Sequence, residues 1–64
     1  MGEPDPSHAA AQRLMRRLDG FARELGLDGP TTQAIVEKVL ADMPTRTEDE
    51  RLMEARKRVL LASA

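Results

Sequence analysis

The sequence predicts an all-α fold: a small three-helix bundle with helices over about 8–25, 31–42 and 48–62 behind a disordered N-terminal tail. Three observations carry this expectation. Apolar residues recur at steps of three and four along three separate segments, the period of a helix face rather than of a strand. Those segments are divided by Gly26, Pro44 and the run Thr47-Glu48-Asp49-Glu50, each with a specific role at a helix end. The 64 residues include no cysteine and one aromatic side chain, Phe21. The core is therefore built from Leu, Val, Ile, Met and Ala, with no disulfide or thiolate metal site to reinforce it.

Residues 1–6 read as a flexible tail in front of a single domain over 7–64. Gly2-Glu3-Pro4-Asp5-Pro6 combines two prolines, a glycine and two acids, which oppose a helix and offer little to bury. Ser7 supplies an N-cap hydroxyl just before the apolar periodicity begins. The first stripe is Ala11, Leu14, Leu18, Phe21 and Leu25, widened by Met15 and Ala22. Gly20 falls on its polar side, where it weakens a helix by about 1 kcal/mol relative to Ala and marks a place where the helix can break. Gly26 then suits the left-handed residue that ends a helix, with Leu27 folding back onto Phe21 or Ala22.

Asp28-Gly29-Pro30-Thr31-Thr32 is turn chemistry that becomes a helix start, since Asp28 or Thr31 can cap and Pro30 fits a first turn. The second helix should bury Ile35, Val36, Val39 and Leu40 and end before Pro44. That proline disfavours helical geometry at Met43, so Met43-Pro44-Thr45-Arg46 reads as a short extended connector. Thr47 and Glu50 form a capping box, with three acids at the positive end of the third helix. That helix carries Leu52, Ala55, Val59 and Ala62 on one line, with Met53 and Leu60 alongside, and Glu54 and Arg58 as an i,i+4 pair. An up-down-up arrangement follows from the short links.

Charge and size narrow the function. The net charge is −1, so no global field draws the chain to a nucleic-acid backbone or an anionic membrane. The longest apolar runs are a few residues, far short of the roughly 20 a membrane span needs. A soluble cytoplasmic protein is expected. A thin core gives no sheltered cleft for catalysis, so no enzyme, cofactor or small-molecule substrate is expected. His8 reads as a solvated side chain in a first turn. Glu48, Asp49 and Glu50 are explained by the capping box and lack the spacing of a calcium loop. Arg56-Lys57-Arg58 fans round its helix as a solvated face, and Met15, Met43 and Met53 read as fillers of a small core.

A domain of this size holds only about 3–5 kcal/mol from one core unless something adds to it. The favoured function is therefore a non-catalytic interaction or regulatory module that self-associates or docks on a larger protein through an apolar helix face. The first helix offers Leu14, Leu18, Phe21 and Leu25 as anchors, with Arg13, Arg17 and Arg23 beside them to pair with carboxylates. Val59 and Leu60 form a second candidate surface.

An alternative lies in segment 18–40. Ala22 stands four residues before Gly26, Leu25 and Leu27 flank that glycine, and Ile35 lies on the following helix. This pattern resembles the helix-turn-helix motif of DNA-binding regulators. The resemblance implies that Thr31, Thr32, Gln33 and Lys38 approach DNA, with Glu37 on the same reading helix. Three departures count against it. Thr32 stands where the motif buries an aliphatic residue, Glu37 and Asp42 oppose the single cation Lys38, and the stripe from Ala11 to Leu25 is longer than the motif's first helix.

Overall fold

The computed structural model describes residues 6–64. Three helices pack on one another in pairs: α1 (Pro6–Glu24), α2 (Gly29–Asp42) and α3 (Glu48–Ser63), with no strand among the described residues. The expected tail lies outside the described residues except for Pro6, which opens α1. Ser7 consequently sits within the first turn of α1 rather than at its cap.

α1 passes through Gly20 without a break. A side chain there would meet nothing within 4 Å, so the residue lies open to solvent and strains no packing. The helix ends as expected. Gly26 adopts φ +84°, the Leu27 N–H donates to the Ala22 carbonyl at 3.0 Å, and the Gly26 N–H donates to Arg23 at 3.0 Å. These two bonds are a Schellman motif, and the partly buried Leu27 packs against the core behind it.

α2 starts two residues earlier than expected because Asp28 is its cap. The Asp28 carboxylate accepts the Thr31 N–H at 2.9 Å, and Pro30 occupies the first turn. The connector to α3 is a turn rather than an extended segment. Met43 leaves helical geometry as its proline neighbour dictates. The chain nevertheless reverses at once, with the Arg46 N–H donating to the Met43 carbonyl at 3.4 Å. Arg51 stabilises that reversal from α3, donating to the Met43 carbonyl at 2.9 Å and to the Pro44 carbonyl at 2.8 Å. The capping box of α3 is present in both directions, Glu50 N–H to the Thr47 hydroxyl at 3.2 Å and Thr47 N–H to the Glu50 carboxylate at 3.4 Å.

The core takes Leu14, Leu18 and Ala22 from α1, Val36 and Val39 from α2, and Leu52, Ala55 and Val59 from α3. Ile35 and Leu40 pack at its edge, partly buried. Thr32 joins the core as a polar member, 1% exposed. Its hydroxyl donates to the Asp28 carbonyl at 2.9 Å, which removes the cost of burying it.

Two expectations for α3, the inward placement of Ala62 and of Met53, are corrected. Ala62 is exposed, Met53 is 72% exposed and Leu60 51%. Each of the last two lies one residue beyond a core position, Leu52 or Val59. One residue is a rotation of about 100° around a helix, enough to turn a side chain from core to water.

Candidate functional site

The surface expected for a partner on α1 is not formed as such. Leu14, Leu18 and Val59 have no exposed surface, so the intrachain core has consumed them as anchors. Phe21 and Leu25 are half-buried at the core edge. The guanidinium of Arg56, on α3, lies 5.7 Å from the centre of the Phe21 ring, a cation–π contact that ties α3 to the end of α1.

The arginines expected to meet partner carboxylates meet carboxylates of the same chain. Arg17 donates to Glu48 at 2.9 Å and to Asp49 at 3.0 Å, and Arg13 donates to Glu48 at 3.1 Å. Arg23 pairs with Asp19, one turn earlier, at 3.1 Å. The three acids of the capping segment therefore have a second use, since two of them fasten the start of α3 to the middle of α1. Arg17 and then Arg13 hold the Glu48 carboxyl below the usual glutamate range by donating hydrogen bonds to its ionised form. Glu48 and Asp49 in turn raise Arg17. At the opposite side of α3, Arg58 joins Glu54 at 2.8 Å and Asp42, the last residue of α2, at 2.9 Å. Arg58 is thus a structural tie rather than part of a solvated basic face.

One of the residues of the helix-turn-helix reading is taken from the surface by the fold. Thr32 is buried and cannot reach a groove. Thr31, Gln33 and Lys38 are exposed, but the Gln33 amide is bonded to Glu37 at 3.0 Å. α1 is a continuous helix of 19 residues, not the short helix the motif places before its turn.

One groove offers little chemistry. Between α1 and α2, His8, Gln12, Met15, Arg16, Gln33 and Glu37 line an open depression of about 330 Å³. His8 there contacts the Gln12 amide at 3.1 Å, and no nucleophile faces a base. Among the described residues no three His, Asp or Glu side chains gather as metal ligands.

The outer face of α3 is different. Met53, Leu60 and Leu61, the last 67% exposed, are the large apolar side chains most open to solvent among the described residues. Beside Met53, a shallow groove of about 380 Å³ is lined by Met43, Glu50, Met53, Glu54 and Lys57. Along the helix, Glu50, Met53, Lys57 and Leu60 recur at steps of three, four and three, a single seam turned away from the core. The sequence places Met53 among the core fillers and Leu60 on a candidate surface with Val59, and does not join the two into this second series. The signal available was that α3 carries two apolar stripes, where α1 carries one.

No family model matches the chain, and neither a curated protein nor a solved structure is matched. No helix among the described residues is long and apolar enough to cross a membrane.

Proposed function

We propose that the chain is a non-catalytic cytoplasmic interaction module that associates through the outer face of α3. The observation that supports this reading is the exposure of Met53, Leu60 and Leu61 on one side of a helix whose other side already completes the core. Apolar area in water is a standing cost of about 25 cal/mol per Å², and association removes it without disturbing the fold. Methionine at the centre of such a face adapts its shape to what it meets. A small core gains stability when a binding event favours the folded state, so folding and association are linked.

Sedimentation and thermal melts from micromolar to millimolar concentration test the reading. A melting point that rises with concentration, lost on Met53→Ser or Leu60→Ser with helicity unchanged, supports it. A monomer with a constant melting point across that range removes its support. Titration against mixed-sequence DNA at low salt separates the alternative, because phosphate contacts give salt-dependent binding that an apolar face does not.

A further inference from the structure

Resting on the interaction reading above, we propose that the occupant of the α3 face is a second copy of this chain. Its α3 packs antiparallel to the first about a two-fold axis beside Met53. The charges along the seam select this arrangement. Glu50 lies one turn before Met53 and Lys57 one turn after it, so the face is acidic on one side of its apolar centre and basic on the other. An antiparallel copy turned about Met53 sets Lys57 of each chain against Glu50 of the other and closes two opposite-charge pairs around a Met53–Met53 contact. A parallel copy, or an antiparallel one centred on Lys57, sets two lysines together instead.

The side chains are free to make these contacts. Among the described residues Lys57 has no carboxylate within salt-bridge distance. Glu50 turns one oxygen to the α3 cap, where it accepts from the Thr47 N–H and hydroxyl, and holds the other by a 3.4 Å contact to Arg46, which leaves it acceptor capacity. Met53 of the second copy comes to lie over the groove between Met43 and Met53. Leu60 of each copy falls at the level of Arg46, just before the other's α3. A single helix pair buries less than the roughly 1,200 Å² typical of stable complexes, so the dimer is of the weak, exchanging class.

The chain has no cysteine, so single cysteines report the register. Met53→Cys, Lys57→Cys and Leu60→Cys are each made in the full chain, checked for helicity, and oxidised mildly at a concentration where sedimentation shows that variant to associate. Met53→Cys is expected to cross-link roughly ten-fold faster than the other two. In this register the paired positions at 57 and 60 are separated by roughly 12 Å and 21 Å along the helices, beyond the roughly 7 Å between Cα atoms that a disulfide tolerates. Lys57→Glu and Glu50→Lys are each expected to weaken association, and an equimolar mixture of the two to restore it. Glu50→Lys also disturbs the cap, so the cysteine series carries the decision if that variant unfolds. Faster cross-linking at 57 or 60 overturns the register while leaving the interaction reading in place. Absence of any association up to millimolar concentration overturns both.

Discussion

Val59 and Leu60 are neighbours in the chain, yet the first is sealed in the core and the second is 51% exposed. The same contrast separates Leu52, at 6%, from Met53, at 72%. α1 has no such division: Leu14, Leu18 and Ala22 are buried, and Met15, Phe21 and Leu25 flank them at the core edge. The comparison teaches that α1 is a packing element with one apolar side, whereas α3 packs on one side and keeps a second apolar side in reserve.

The largest test of that division is on the packing side. Leu18→Ala should cost about 2–5 kcal/mol, comparable to the whole stability of about 3–5 kcal/mol that a core this small supports. Loss of a cooperative urea transition at 25 °C in circular dichroism is the expected result. The neighbouring pair on α3 sharpens the comparison directly. Val59→Ala should destabilise by about 2 kcal/mol through lost burial and an unfilled void, and Leu60→Ala should stay within about 0.5 kcal/mol when measured in dilute solution. Equal losses for the two would mean that the outer face takes part in the monomer's packing.

A smaller effect belongs to the start of α3. Thr47→Ala should cost about 1 kcal/mol, and Thr47→Ser should recover most of it, because the serine hydroxyl accepts the same Glu50 N–H. The Glu48 link to α1 is the most conditional. Its folded-state pKa is lowered by Arg17 and Arg13, so the stabilisation is present above the ordinary glutamate pKa and lost as the pH falls through the lowered value. Thermal melts between neutral and acid pH should show a decline in that window that is shallower in Glu48→Gln. High salt should reduce the difference, since these side chains are exposed.

Helix ends were the most legible part of this chain. The Gly26 stop, the Asp28 start and the Thr47–Glu50 box are each made by residues within a few positions of one another, so local hydrogen bonding settles them. The α1 stripe was legible for a related reason, having one apolar side and therefore one direction in which to pack. The candidate site was not. Leu14, Leu18 and Val59 were read as anchors for a partner, and Arg17 as an ionic contact to one. Their exposure depends on where α2 and α3 come to lie. Met53 reads as a core filler for the same reason, because a helix with apolar residues on two sides does not state which side meets the core, and Leu60 is read as a surface residue only together with the buried Val59.

The sequence by itself determined the number of helices, their limits to within two residues, and the capping chemistry at two of the three starts. These depend on spacings of four residues or fewer, within reach of a single helical turn. Only the tertiary structure decided which stripe of α3 is sealed, that Arg13 and Arg17 bind Glu48 across more than thirty positions, and that Thr32 is buried with its hydroxyl satisfied. Burial and ion pairing across the bundle depend on the rotation of each helix about its axis. One residue of phase, about 100°, separates core from solvent, and packing of the three helices together fixes that phase.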